Sequence, residues 1–167
     1  MTTTGSSRYS GFTIVELMIA VAVLAVLTAV AAPSLSSLVR DQRVKTATFD
    51  VYSNLTFARS EAIKRNASID LAAVDTATPP NWAAGWTVQV AGATLKTQDA
   101  IQGMTITGPD SPVSYQREGR IAGATAPTFV LKAADSSTTT ARCVRVDLSG
   151  RPNIKVDTNS NPADGCQ

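Results

Sequence analysis

One stretch constrains this chain more than any other, because residues 17–39 carry no charged side chain. Most of these 23 residues are Ala, Val, Leu or Ile. As an α-helix they would extend about 35 Å at ~1.5 Å per residue, which is enough to cross a hydrocarbon core ~30 Å thick. The sequence therefore predicts one membrane-embedded helix near the N-terminus.

The segment before this helix differs from an ordinary secretory signal, in which a basic start and a short apolar stretch precede the cleavage site. Residues 1–11 are polar, include Arg8, and end at Gly11 before the apolar run begins. Cleavage after Gly11 would leave the whole apolar helix on the mature protein. An uncleaved membrane anchor is the alternative, which the length of the helix leaves open.

Glu16 is the one ionisable residue between positions 12 and 39. A carboxylate in an apolar environment costs several kcal/mol unless it is paired. Cleavage after Gly11 would free the amine of Phe12, four residues earlier, as a partner within the subunit or on a neighbour. The less favoured alternative is that Glu16 lies among lipid headgroups and is solvated.

The sequence of residues 11–18, Gly-Phe-Thr-Ile-Val-Glu-Leu-Met, resembles the class III signal of type IV pilins and pseudopilins. The resemblance implies that a prepilin peptidase cuts after Gly11 and methylates the amine of Phe12. It also implies that Glu16 acts in filament assembly. The family's helix-breaking proline corresponds to Pro33, where the missing backbone donor is expected to kink or loosen the helix around residues 29–33.

Beyond residue 39 the apolar residues recur at steps of three and four, which predicts a continuing helix. We expect one helix from Phe12 to about Arg65, with Asn66 as its C-terminal stop. Three basic residues follow the apolar run: Arg40, Arg43 and Lys45. They could hold the helix at a lipid surface or form an ordinary solvated face, and the sequence favours neither.

After Asn66 the apolar period becomes two. Strands are predicted near residues 69–73, 86–90, 103–107, 113–116, 128–132 and 143–148, with Gly and Pro turns between them. A helix followed by short strands indicates an α+β fold, in which a long N-terminal helix, transmembrane in its first half, packs on a small antiparallel β-sheet. Trp82 and Trp86 are expected to anchor the junction of loop and sheet, with a ligand platform as the less favoured alternative.

The predicted organisation has three parts. Residues 1–11 form a cleaved leader, residues 12–39 a transmembrane and filament-core helix, and residues 40–167 a globular periplasmic domain. Residues 133–141 are expected to form an exposed hairpin loop, and residues 157–165 are polar and turn-rich.

The chain has two cysteines, Cys143 and Cys166, and no histidine. An even cysteine count in an exported domain predicts one disulfide, worth ~3 kcal/mol for a loop of this size. The lack of histidine removes the commonest general base and metal ligand. We find neither a catalytic constellation nor a Walker-type loop, and we therefore expect no enzyme activity, no cofactor and no metal site.

Three further stretches are similar to the GspH/FimT branch of the pilin superfamily. They are Phe-Ala-Arg-Ser-Glu-Ala-Ile-Lys-Arg at 57–65, Gly-Trp-Thr-Val at 85–88, and Arg-Cys-Val-Arg-Val-Asp-Leu-Ser-Gly-Arg-Pro at 142–152. The resemblance implies a minor pilin that helps to initiate assembly near the tip of a type IV pilus. A minor pseudopilin of type II secretion is the alternative, and the sequence does not separate the two.

The same resemblance implies partners and a location. The partners are other major and minor pilins, contacted through the N-terminal helix, and the prepilin peptidase. The protein would first span the bacterial inner membrane once, with its globular domain in the periplasm. It would then enter an extracellular or periplasmic filament.

Some members of this branch bind DNA through a C-terminal Gly-Arg-x-Arg motif. Here Gly150-Arg151-Pro152-Asn153 keeps the first arginine but has Asn153 at the second, and Lys155 follows two residues later. Arg142 and Arg145 should lie on opposite faces of a strand, so that only one can join Arg151. The net charge of +2 adds no strong field for nucleic acid. We favour a hairpin turn with a solvated Arg151 over DNA binding, which stays a third hypothesis.

Overall fold

A single long helix, α1, forms the N-terminal part of the described chain. In the computed structural model, which describes residues 11–135, 140–158 and 166, this helix runs from Ile14 to Arg65. Its bounds confirm the predicted helix from Phe12 to about Arg65. The backbone is helical through residues 29–33, and a loosening of that region in a filament stays a prediction. The exposed loop predicted at 133–141 is shorter than expected, because Ala133 is the last residue of a strand and both Ala133 and Ala141 are buried. Residues 136–139 and 159–165 of the two predicted loops lie outside the described residues.

The C-terminal end of α1 is closed by a left-handed residue, as the sequence predicts. Asn66 has a φ of 51°. Its N–H donates to the carbonyl of Ile63 at 3.4 Å, and the N–H of Ala67 donates to the carbonyl of Ala62 at 3.2 Å. These two bonds satisfy carbonyls that the last helical turn leaves without partners, and together they form a Schellman motif.

Eight strands follow the helix in the described part of the chain. They are β1 (Ile69–Asp75), β2 (Asn81–Val90), β3 (Ala93–Gln98), β4 (Met104–Thr107), β5 (Val113–Tyr115), β6 (Thr128–Ala133), β7 (Arg142–Val146) and β8 (Pro152–Val156). They form two four-stranded sheets, ordered β3-β2-β1-β5 and β4-β6-β7-β8. All strand pairs within these sheets are antiparallel.

The α+β class with a helix and antiparallel strands is confirmed, but the expectation of one small sheet is replaced by two. Strands β3 and β8 were not predicted. Both are edge strands whose side chains are mostly exposed. In β8 the apolar alternation is present and was missed, since Pro152, Ile154 and Val156 alternate with polar residues. In β3 the pattern is short, with Leu95 as its one large apolar residue.

The hydrophobic core includes one face of α1. Its six predicted apolar positions are each at most 1% exposed: Val44, Ala47, Val51, Leu55, Ala58 and Ala62. They pack with apolar residues from both sheets. The chain divides into two compact units, residues 1–38 and 39–167. We call the second the globular unit, and it contains the whole of this core.

Both tryptophans lie on β2, and each is 1% exposed. Trp82 is the second residue of the strand, where a loop meets the sheet as predicted, whereas Trp86 lies in the middle of the strand. The ring of Trp82 meets that of Phe129, on the second sheet, edge to face with the ring centroids 4.8 Å apart. Its Nε1–H donates to the carbonyl of Pro109 at 3.0 Å. Trp82 thus joins the two sheets. Gly108 fits beside this pair because a Cβ there would lie 2.7–2.8 Å from both rings.

Candidate functional site

The predicted processing and assembly residues lie at the start of α1, where the sequence forms a capping box. The N–H of Glu16 donates to Thr13 Oγ1 at 3.2 Å, and the N–H of Thr13 donates to Glu16 Oε2 at 3.3 Å. This reciprocal pair satisfies two backbone donors that a helix start leaves free. In the uncleaved chain, Glu16 therefore already has a local partner.

This cap was not predicted, although the spacing Thr13-Ile14-Val15-Glu16 carries its signature. The residues on either side of the predicted cleavage site are accessible. A Cβ at Gly11 would meet no atom within 4 Å, and Phe12 is 77% exposed. An accessible, open segment is what a peptidase substrate requires.

The first part of α1 exposes its large apolar side chains on all sides. Each of the following is more than half exposed: Ile14, Val15, Leu17, Met18, Ile19, Val21, Val23, Leu24, Val26 and Leu27. We call this set the apolar shaft. A helix that is hydrophobic all round is normally buried in protein or lipid. A contiguous apolar surface of this kind marks an interaction site.

In the part of the chain that the structure describes, no helix combines the length and the hydropathy that crossing a membrane requires.

The predicted disulfide joins Cys143 on β7 to Cys166, with 5.9 Å between their Cα atoms. Both cysteines are buried. The bridge attaches the C-terminal end of the chain to the second sheet, and it closes a sequence separation of 23 residues.

The four basic residues considered for DNA binding fall on two faces of the β7–β8 hairpin. Arg145 pairs with Asn153 across the hairpin, and Cys143 pairs with Lys155. Because side chains alternate along strands, Arg145 and Lys155 share one face, and Arg151 continues it at the turn. Arg142 lies on the opposite face, with core residues Val144 and Val146. The structure thus brings three of the four together and separates Arg142.

Arg142 is half-buried, and its Nε is buried with no hydrogen-bond partner among the described residues. The other three cations are exposed. Arg142 therefore belongs to the interior side of the second sheet, and it is not available to a surface patch with Arg151.

The turn before Arg151 is held by a carboxylate. Asp147 Oδ1 accepts hydrogen bonds from the Ser149 hydroxyl at 2.6 Å and from the Arg151 N–H at 3.0 Å. These two bonds hold the pKa of the Asp147 carboxyl below its ordinary value, and the bond from Ser149 has the larger effect. Gly150 has a φ of 84°, and a Cβ there would overlap the carbonyl of Gly119. The predicted hairpin turn is therefore a packed element of the fold.

Within the described residues, no group of three or more Cys, Asp or Glu side chains converges as a metal site would. Several acidic residues of the globular unit instead pair with nearby cations or polar groups. One example is Glu61, which bonds to Arg65 Nε through Oε2 and lies 3.6 Å from Lys64 Nζ through Oε1.

Residues 47–150, more than half of the chain, match the protein family described as Type II transport protein GspH. The chain belongs to the GspH family. Residues 6–32 match the prokaryotic N-terminal methylation motif. That match includes Gly11, Phe12 and Glu16 and ends before Pro33, and the two matches together confirm the resemblance to the GspH/FimT branch.

Solved structures of FimU, a type IV minor pilin of Pseudomonas aeruginosa strain PAO1, are similar in two crystal forms. In one, the identity is 19% and the TM-score 0.59, over 68% of this chain and 89% of the FimU chain. In the other, the identity is 20% and the TM-score 0.56, over 66% and 91%. At these identities the likeness is one of fold. Comparison with curated protein sequences finds no match.

Proposed function

We propose that this member of the GspH family is a minor pilin subunit of a type IV pilus that acts in the initiation of assembly or in tip structure. One observation carries the proposal. The apolar shaft begins three residues after Gly11, within the methylation motif, and the described part of the chain leaves each of its side chains more than half exposed. The fold likeness to FimU, which is a type IV minor pilin, supports this choice.

Burial of its apolar side chains keeps the apolar shaft out of water, either in lipid or among neighbouring helices. Fully burying one Val, Leu, Ile or Met side chain contributes about 1.5–3 kcal/mol. Lipid offers that burial before assembly, and neighbouring helices offer it in a filament. Since lipid tails are as apolar as leucine, transfer into the filament depends on helix packing and polar pairing rather than on apolar burial alone.

Glu16 would provide the polar pairing. In the uncleaved chain its carboxylate bonds to the N–H of Thr13. Cleavage after Gly11 creates a cationic amine on Phe12, and the carboxylate can exchange its local bond for that amine on its own or a neighbouring subunit. The attraction between opposite charges is stronger away from water, and it offsets the cost of their desolvation when the geometry of the pair is good. The proposed partners are thus the prepilin peptidase and other pilins. The proposed role of Glu16 is in assembly and not in catalysis.

The N-terminus of the protein from its host tests the proposal. Mass spectrometry of the purified protein should find a chain that starts at a methylated Phe12, and sheared filaments should contain it. Protein that still begins at Met1, together with filaments that lack it, would contradict the proposal.

A pseudopilus of type II secretion is the alternative with the same architecture, and it has the description of the matching family in its favour. Deletion of the gene separates the two. A type IV minor pilin predicts loss or shortening of surface pili with normal levels of secreted proteins in the medium. The reverse pattern identifies a secretion pseudopilus.

DNA binding is kept as a second function because Arg145, Arg151 and Lys155 share one exposed face. Each phosphate contact contributes about −0.9 to the slope of log affinity against log salt. Changing all three to Gln should weaken binding of duplex DNA by the full protein in detergent and reduce the slope by about two to three. Lys64→Gln, at an exposed side chain of α1, is the control. Equal slopes for both variants, or no binding at low salt, would exclude this function.

A further inference from the structure

The two sheets formed by the described residues have four edge strands, which differ in how readily another strand could add to them. Strands β4 and β5 have only four and three residues. Strand β3 is longer, but its pairing with β2 shifts register between Val88 and Gln89. Its Lys96 pairs with the buried Val88 and lies over the ring of Phe57, with its Nζ 5.5 Å from the ring centroid. A register shift and an inward-pointing charge both discourage strand addition.

Strand β8 has neither of these features. Its five residues, Pro152–Val156, pair with β7 without a shift in register. Ile154 pairs with the buried Val144, so that Ile154 and Val156 lie on the core-facing side of the sheet. They are nevertheless 37% and 42% exposed. Strand β8 is therefore a regular edge strand whose apolar side chains are only partly covered.

The hydrogen bonds at the two ends of the β7–β8 pair show which backbone groups face outward. The N–H of Asp147 donates to the carbonyl of Arg151 at 3.1 Å, and the N–H of Asp157 donates to the carbonyl of Ala141 at 3.0 Å. In an antiparallel pair, bonded and non-bonded residue pairs alternate. The odd-numbered residues of β8 therefore bond to β7, and the even-numbered residues direct their N–H and C=O groups away from it.

The outward groups are the N–H and C=O of Ile154 and Val156 and the carbonyl of Pro152. Among the described residues, no backbone group outside the strand ladder bonds to them. We call this row of five groups the β8 edge. Such a row is matched by another extended chain, which adds as a further strand and supplies donors and acceptors at the same spacing.

The opposite face of β8 carries positive charge. Lys155 lies between Ile154 and Val156 in the chain, and its side chain is on the face that Arg145 and Arg151 share. All three cations are exposed. A residue across from Lys155 on an added strand would have its Cβ about 4.5–5.5 Å away, where a carboxylate is favoured. Its two neighbours would meet Ile154 and Val156, and are favoured when apolar.

We propose that the β8 edge binds an extended segment of a different filament subunit, in which an acidic residue lies between two large apolar residues. The inference rests on the proposed pilin function and specifies how the globular unit contacts its neighbour. In this chain the pattern occurs only at residues 15–17, 49–51, 69–71 and 146–148, which lie in α1, in β1 and at the end of β7. Those residues already belong to the fold, so the donor is a subunit of another sequence.

A photo-crosslinker tests which molecule occupies the edge. Asn153 is exposed on the same face as Lys155, so Asn153→p-benzoylphenylalanine in the full-length protein reacts with what lies beside the edge. In sheared filaments we expect an adduct with a different pilin, at a peptide that has an acidic residue between two large apolar ones. An adduct with residues 159–165 of the same chain, with DNA or with lipid would overturn the inference, and so would the lack of any adduct.

Two further substitutions in the crosslinking protein block the edge in different ways. Val156→Pro removes an outward N–H and leaves the bonds to β7 in place, since an edge strand tolerates proline where its N–H would face outward. Ile154→Lys gives β8 an inward-pointing charge, like that of Lys96 on β3. Each should lower the adduct yield about tenfold or more, because both remove a feature that strand addition requires. The amount of protein in membranes should not change.

Val74→Lys is the matched control, since it places a lysine at an aliphatic position of β1 that is 55% exposed. It should change the adduct yield by about twofold at most, because distant sites act independently. Lys155→Glu tests the charge of the partner. It should lower the yield about threefold or more, since like charges directly across a strand pair are destabilising. An unchanged yield with Lys155→Glu would contradict the acidic residue in the donor.

The outcomes separate this inference from the proposed function. If the wild-type protein is absent from filaments, the pilin function is wrong and the inference fails with it. If the wild type enters filaments but Val156→Pro and Ile154→Lys leave the adduct yield unchanged, only the assignment of the β8 edge is wrong. If Val156→Pro does not fold, Ile154→Lys decides by itself. An adduct with another pilin that both substitutions remove and Val74→Lys retains is the expected result.

Discussion

The two parts of helix α1 share one backbone geometry and have opposite surroundings. In residues 14–27 the large apolar side chains are all at least 54% exposed, whereas six apolar residues between 44 and 62 are at most 1% exposed. The first part has apolar residues all round, and the second has them at steps of three and four on one face. A continuous helix can therefore include one part that the chain buries and one that needs other molecules to bury it.

Among the substitutions that test this difference, those of Glu16 should have the largest effect. Glu16→Ala should lower incorporation into filaments a hundredfold or more, because leaving one member of a buried ion pair alone costs about 3–5 kcal/mol. Amounts in sheared filaments and in membranes measure the effect. Glu16→Gln is the informative control, since glutamine keeps the capping bond to Thr13 but not the charge. If Glu16→Gln assembles normally, the role of Glu16 is helix capping and not pairing with the Phe12 amine.

The same substitution in both parts of the helix should have unequal effects. Leu55→Ala removes a side chain that is fully buried and should lower the free energy of unfolding by about 2–5 kcal/mol. Leu24→Ala, at a position 60% exposed, should leave it unchanged. Urea unfolding in detergent, followed by tryptophan fluorescence, measures both, since Trp82 and Trp86 report on the core. Equal effects would mean that the apolar shaft is part of the folded core.

Removing the disulfide should affect the globular unit alone. Cys143→Ser with Cys166→Ser should lower its free energy of unfolding by about 3 kcal/mol, from the loop that the bridge closes. The fraction of protein in membranes should not change, because the apolar shaft contains no cysteine. Wild-type protein in reducing agent should behave like the double variant. A stability equal to that of the oxidised wild type would count against this prediction.

Substitutions at the two ends of α1 should have the smallest effects on stability. Asn66→Gly should raise the stability of the globular unit by up to about 1 kcal/mol, since glycine adopts the left-handed conformation without a steric cost. Thr13→Ala should weaken only the helix start, by about 1 kcal/mol. Faster hydrogen exchange at residues 14–17, with an unchanged urea midpoint, would be its signature. A shifted midpoint for Thr13→Ala would show that the helix start is coupled to the core.

Sequence patterns were sufficient for features that depend on nearby residues. The spacing of Val44, Val51 and Leu55 marked the buried face of the helix, and Asn66 marked its end. Six of the eight strands were predicted from their apolar alternation, and the single cysteine pair left one possible bridge. The Thr13–Glu16 cap could also have been predicted, because its signature is local.

Only the tertiary structure decided which distant residues become neighbours. It divided the strands into two sheets, added the exposed edge strands β3 and β8, and placed Trp82 against Phe129. It also decided that Arg145, and not Arg142, shares a face with Lys155 and Arg151. The physical reason is that periodicity determines the face on which a side chain lies, whereas strand register and packing between elements determine what that face meets. Register and packing depend on the burial of many residues that are far apart in the chain.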